Sequence, residues 1–108
     1  MTIRWPEGFD FKQRPDDRLE SAVEAECDEA LQRAGWYVRE IQNKRRIKKG
    51  FSDRLILRRG RVVFVEYKTK TGRQKPEQIE FMNEVRAHGG EYRIVRGLED
   101  IMDLIGRG

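Results

Sequence analysis

Two apolar-rich runs dominate the middle of the chain. Residues 54–57 (RLIL) and 62–68 (VVFVEYK) are separated by RRGR, a short turn containing Gly60, and together they predict an antiparallel hairpin. Upstream, Leu19, Val23, Cys27, Ala30, Leu31 and Ala34 recur at helical spacing, which predicts an amphipathic helix over residues 18–34 with Gly35 as its stop. Asp17 and Glu20 have the spacing of an N-cap and its reciprocal glutamate. Residues 36–42 (WYVREIQ) read as a strand. Pro76 suits the first position of a helix running to about His88, with Ile79, Met82 and Val85 turned toward the sheet. After Gly89-Gly90, residues 91–95 read as a short strand and 98–105 as a last short helix. This order predicts an α/β fold, a mixed sheet flanked by helices. Residues 1–16, punctuated by Pro6, Gly8 and Pro15, read as an irregular arm whose Trp5, Phe9 and Phe11 pack on the domain or on a second subunit, and residues 17–108 as one domain.

The strand at 62–68 carries a tension. Its side chains alternate, so Val62, Phe64, Glu66 and Lys68 share one face and Val63, Val65 and Tyr67 the other. A largely apolar strand that delivers two charges to one side is costly unless those charges have partners or a task.

Charge distribution sharpens the question. Residues 1–43 hold 6 basic and 10 acidic side chains, residues 44–75 hold 13 and 2, and residues 76–108 hold 4 and 7. The middle third thus carries +11 in a chain whose formal net charge is +4, the footprint of a polyanion-binding face. Lys44, Arg45, Arg46, Lys48, Lys49, Lys70, Arg73 and Lys75 are its candidate DNA-binding residues. The two acids inside it are Asp53 and Glu66. Cys27 has no cysteine to pair with, and it reads as a buried thiol. No apolar run is long enough to span a membrane, and the first residues lack the apolar segment of a signal peptide, so the expectation is an intracellular protein. His88, the single histidine, sits at a helix end where it complements the dipole.

In a hairpin turning at Gly60, Asp53 and Glu66 meet at the same end. Two adjacent carboxylates repel unless a cation lies between them, and Lys68 supplies one positive charge there. A carboxylate pair in a basic frame suits a hard divalent ion such as Mg²⁺ or Mn²⁺ and metal-assisted phosphodiester hydrolysis. An ion pair of Lys68 with Asp53 or Glu66 that seals the sheet edge explains the spacing equally well.

The ordered set GFSDRLIL…GRVVFVEYKTKTGRQKPEQ resembles the signature of the VRR-NUC nucleases, a branch of the PD-(D/E)xK phosphodiesterases, over about residues 20–105. The shared marks are Gly50–Asp53, Gly60-Arg61, Glu66-Tyr67-Lys68, Gly72 and Pro76-Glu77-Gln78. The resemblance implies a restriction-endonuclease-like αβββαβ core. It implies Asp53, Glu66 and the Tyr67 main-chain carbonyl as metal ligands, Lys68 as the catalytic lysine, and Gln78 as a glutamine reaching the site from the second helix. It further implies a glutamate from the first helix, Glu24 or Glu20, with Glu24 preferred because Glu20 has the capping position. Ser52 stands where family members often have proline and leaves the start of the strand looser. For a chain with only the nuclease core, the resemblance implies a Mg²⁺- or Mn²⁺-dependent homodimer that cuts branched, Holliday-junction-like DNA. Cutting of flaps or ordinary duplex, or binding nucleic acid without catalysis, are the alternative readings.

Overall fold

The computed structural model describes residues 19–41 and 52–106. The predicted arm at 1–16 and the basic segment from Lys44 to Lys49 lie outside them. The hairpin sets the frame. Strands β2 (Arg54–Arg58) and β3 (Arg61–Tyr67) are joined by Arg59-Gly60, both at positive φ (51° and 82°), the backbone of a tight turn whose twist matches the strands it joins. Register pairs Arg54 with Val65, Ile56 with Val63 and Arg58 with Arg61. Ile56, Val63, Val65 and Tyr67 therefore share one face, and all four are fully buried.

Helix α1 (Glu20–Arg33) covers that face with Val23, Cys27 and Leu31, spaced one turn apart. Trp36, Val95, Ile101 and Leu104 close the core, and the indole N–H of Trp36 donates to the Leu104 carbonyl at 3.0 Å. Strand β1 (Tyr37–Glu40) adds antiparallel to β2. Helix α2 (Pro76–Ala87) carries the chain to β4 (Glu91–Val95), which runs parallel to β3 and completes a mixed sheet in the order β1-β2-β3-β4. A 3₁₀ turn (Leu98–Ile101) runs into α3 (Met102–Ile105), so the predicted last helix is two short pieces. The predicted αβββαβ order holds.

Three local expectations are corrected. Helix α1 starts at Glu20, with an extended Leu19 as its N-cap and no side-chain cap, so Glu20 opens the helix and is not the third helical residue. Leu19 is consequently exposed and leaves the apolar stripe. On the other sheet face, Phe81 packs edge-on against Phe64 and Tyr92, with centroids 5.6 and 6.0 Å apart. That contact phases α2 so that Gln78, Phe81, Met82 and Val85 are half-buried, and it leaves Ile79 exposed. Among the described residues, no helix is long and apolar enough to cross a membrane.

Candidate active site at the end of the central hairpin

Glu66 points from β3 to the α2 side and is fully buried. Its Oε1 accepts the Tyr92 hydroxyl at 2.5 Å and the Gln74 amide at 3.1 Å. Its Oε2 is buried with no hydrogen bond. The Lys68 ammonium stands 3.9 Å from that oxygen, close enough for attraction but beyond hydrogen-bond reach. Lys68 itself is fixed by its main chain, which donates to the Val95 carbonyl at 3.0 Å, and only 11% of its side chain is exposed.

Asp53 directly precedes β2, one step beyond the Arg54–Val65 pair, and so faces Glu66 across the hairpin. The main chain holds it on both sides. Its Oδ2 accepts the Tyr67 N–H at 2.7 Å, and its carbonyl accepts the Ile41 N–H at 3.0 Å. Burial pushes the Asp53 carboxyl above its ordinary range, and the Glu66 charge adds to this. The Tyr67 N–H, Arg54 and Lys68 act in the opposite direction without cancelling it.

On the α1 side lies a network that the sequence reading missed. Arg54, 8% exposed, donates to Glu24 at 2.9 Å, to Asp28 at 3.0 Å and to the Asp53 carbonyl at 3.1 Å. Asp28 also accepts the Tyr67 hydroxyl at 2.6 Å, and the Arg54 guanidinium lies 5.4 Å from the centre of the Tyr67 ring. Burial raises the Glu24 pKa, and the attraction of Arg54 does not offset burial together with the Asp53 charge. Glu24 is therefore within the electrostatic field of the site but committed to Arg54. Among the described residues, no three acidic, histidine or cysteine side chains converge closely enough to cage a metal. What converges is a pair, Asp53 and Glu66.

Gln78 stands at the third position of α2. Its side-chain oxygen accepts the Lys75 N–H at 2.8 Å, which caps the start of α2. The amide that meets Glu66 belongs to Gln74, in the loop just before the helix. Lys70, Arg73 and Lys75 are exposed on this loop. Arg96 shapes it from behind, donating to the carbonyls of Thr69, Lys70 and Gly72 at 2.6, 3.3 and 2.7 Å.

The residues fit a divalent cation. A buried carboxylate oxygen without a hydrogen bond, facing a second carboxyl whose ionisation it opposes, is an arrangement that a cation relieves. One or two carboxylates, with water and substrate phosphate completing the shell, are what Mg²⁺ ordinarily takes from a protein.

The VRR-NUC domain family model matches residues 4–99 of the chain. The chain belongs to the VRR-NUC family. A solved VRR-NUC domain structure superposes with a TM-score of 0.69 at 26% identity, covering 82% of this chain and 95% of that one. The comparison with curated proteins gives no match. The molecule is thus a nuclease-type domain.

Within this VRR-NUC domain, Tyr92→Phe isolates the support of Glu66. Removing a hydroxyl that donates to a buried carboxylate is expected to cost about 2 kcal/mol, since hydrogen bonds to charged groups contribute ~1.5–3 kcal/mol. Urea unfolding measures it, and an unchanged midpoint would show that Gln74 alone satisfies Glu66.

Proposed function

We propose that the domain is a Mg²⁺- or Mn²⁺-dependent DNA endonuclease that hydrolyses phosphodiester bonds, selective for branched, Holliday-junction-like DNA and acting as a homodimer inside the cell. The observation that carries the hydrolytic reading is the unbonded, buried Oε2 of Glu66 facing Asp53, with Lys68 at 3.9 Å. Asp53, Glu66 and the Tyr67 main-chain carbonyl would hold the ion, and the Tyr67 N–H already fixes the Asp53 carboxyl. Bound there, the ion would lower the pKa of a water and stabilise charge on the phosphate. Lys68 orients the attacking water or neutralises the phosphate as charge builds on it. Glu24 acts through Arg54 and the electrostatic field at Asp53. Lys70, Arg73 and Lys75 on the loop that Arg96 braces, with Lys44, Arg45, Arg46, Lys48 and Lys49, supply backbone contacts to the DNA. Branch selectivity and dimerisation rest on the family resemblance.

The test is cleavage of a four-way junction, a flap and a linear duplex in Mg²⁺, Mn²⁺ or EDTA, with Lys68→Ala beside the parent. Cutting is expected only with metal, fastest on the junction, and reduced at least ~10²-fold by Lys68→Ala, the scale for losing one group that stabilises developing charge. Cutting that persists in EDTA overturns the metal reading, and equal cutting of all three DNAs overturns the branch reading. A monomer in sedimentation with bound junction overturns the dimer.

A further inference from the structure

Lys68 is a long side chain held in one place. Its flexible four-carbon stem ends in a strongly hydrated ammonium, so an unrestrained lysine at a strand end turns toward water. Here the ammonium stays 3.9 Å from Glu66 Oε2, and only 11% of the side chain is exposed. Something closes its solvent side.

The closing element is the turn at residues 69–72, in which the Gly72 N–H donates to the Thr69 carbonyl at 3.2 Å. A Cβ on Gly72 would stand 2.9 Å from Thr69 Oγ1 and 3.6 Å from Lys68 Cδ, so the turn is tight and its glycine lies against the Lys68 stem. Residues 68–75 belong to no helix, and none of them continues β3, so no ladder fixes this turn. Arg96 does. Phe64 pairs with Tyr92 and Glu66 with Ile94, so alternation brings Arg96, just past β4, to the α2 side beside Lys68. Its Nη1 donates to the carbonyls of Thr69, Gly72 and Lys70 at 2.6, 2.7 and 3.3 Å. Its own main-chain N–H is anchored on the Asp100 carboxylate at 2.8 Å. Among the described residues, the Arg96 guanidinium has no carboxylate partner, so its charge is directed at these oxygens. Three carbonyl dipoles converge on one nitrogen, and the shape of the turn depends on that cation.

We infer that Arg96 is a positioning residue of the hydrolytic site, which pins residues 69–72 and so holds Lys68 beside Glu66. Gln74, two residues beyond the pinned turn, donates to Glu66 Oε1, so the same clamp steadies a second contact of that carboxylate. Its effect on cleavage rests on the nuclease reading; its hold on Lys68 does not.

The first readout therefore needs neither metal nor DNA. Acylation of the Lys68 amine by an N-hydroxysuccinimide ester in EDTA, followed by peptide mass spectrometry, measures how far the side chain is confined. Arg96→Met keeps an apolar stem and removes the donor. Its Lys68 is expected to label about tenfold faster than the parent's, the factor that one lost charge-assisted hydrogen bond makes in a local opening equilibrium. Millimolar guanidinium ion, far below denaturing levels, is expected to restore slow labelling by taking the vacated place among the carbonyls. In junction cleavage with Mg²⁺, kcat is expected to fall about 10–100-fold with KM changed less than about twofold, the pattern for losing a supporting group behind the reacting ones. Arg96→Lys, which keeps a cationic donor on a different reach, is expected to lie between the two and decides the matter if Arg96→Met does not fold. Arg93→Met removes a like charge from the α1 side of the same strand, where Arg93 neighbours Val65 and pairs with Asp103, and is expected to label as the parent does. Unchanged Lys68 labelling in the Arg96 variants, or an equal rise in Arg93→Met, overturns the inference. A cleavage loss carried by KM alone makes the turn a DNA contact and overturns Arg96 as a positioner of Lys68. A parent that cuts no DNA while the labelling difference holds overturns the nuclease reading and leaves the clamp on Lys68 established, which separates the two failures.

Discussion

Glu66→Gln is expected to abolish metal-dependent DNA cleavage while raising the melting temperature of the metal-free protein. The two effects have one cause. Glu66 is fully buried, and one of its oxygens has no hydrogen bond although its charge is opposed by Asp53. A neutral amide removes that charge; its carbonyl oxygen can turn to Tyr92 and Gln74, which both donate to Oε1, and its N–H donors then replace Oε2 and face the Asp53 carboxyl as an acceptor. Lys68 loses one partner at 3.9 Å but keeps the Asp53 carboxyl as its counter-charge. Stability should rise by about 1–3 kcal/mol, the scale for a buried polar group left unsatisfied. Activity should fall at least ~10³-fold, because the metal's stabilisation of the reacting phosphate is worth several kcal/mol and each ~1.4 kcal/mol is tenfold. Thermal melts in EDTA and junction cleavage in Mg²⁺ read the two effects separately. A melting temperature that falls would show that Glu66 is satisfied in the fold and is not held for a cation.

Much of this site was legible because the hairpin is. A short turn at Gly60 between two apolar runs leaves little freedom of register, so Asp53 opposite Glu66 follows from counting. Alternation then puts Lys68 on the Glu66 side. The misreadings have local causes. Backbone capping, invisible in composition, engages the Gln78 side-chain oxygen at the start of α2, and Gln74, in the loop four residues earlier, is the glutamine that meets Glu66. The Asp17–Glu20 spacing suggested a cap, but the helix begins later, so capping gives no reason to prefer Glu24; its contact with Arg54 does. Tyr92 reads as an ordinary strand residue, since nothing local says that β4 lies beside β3. Arg54 carried a signal that went unused. It alternates with Ile56 on the inward face of β2, so it needed acids on the helix above it. Glu24 and Asp28, one turn apart on α1, were available to meet it.

Arg54→Met is expected to destabilise the domain by about 3–5 kcal/mol, the cost of breaking a buried ion pair by removing one partner. Arg54 is 8% exposed, and Glu24 and Asp28 are each about three-quarters or more buried. Burial works against the charge on Arg54, yet Asp28, Glu24 and Glu40 outweigh it and raise its pKa further. Without the guanidinium, Glu24 and Asp28 would face each other and Asp53 with no compensating charge. For a domain whose whole stability is of order 5–15 kcal/mol, that is a large fraction. The triple variant Arg54→Met/Glu24→Gln/Asp28→Asn separates charge from contact. The amide that replaces the Asp28 carboxylate can still accept the Tyr67 hydroxyl, and the charges of all three residues are gone, so most of the lost stability should return. Urea midpoints of the single and triple variants measure this, and a triple variant as unstable as the single one would place the contribution in the geometry of Arg54. Cleavage by the refolded triple variant then asks a different question. Arg54 also donates to the Asp53 carbonyl at 3.1 Å, so it fixes the residue that faces Glu66. A triple variant with restored stability but cleavage still reduced about 10–100-fold, the usual cost of losing a supporting group behind a metal ligand, would make Arg54 a positioning residue of the nuclease site. Full cleavage would confine it to stability.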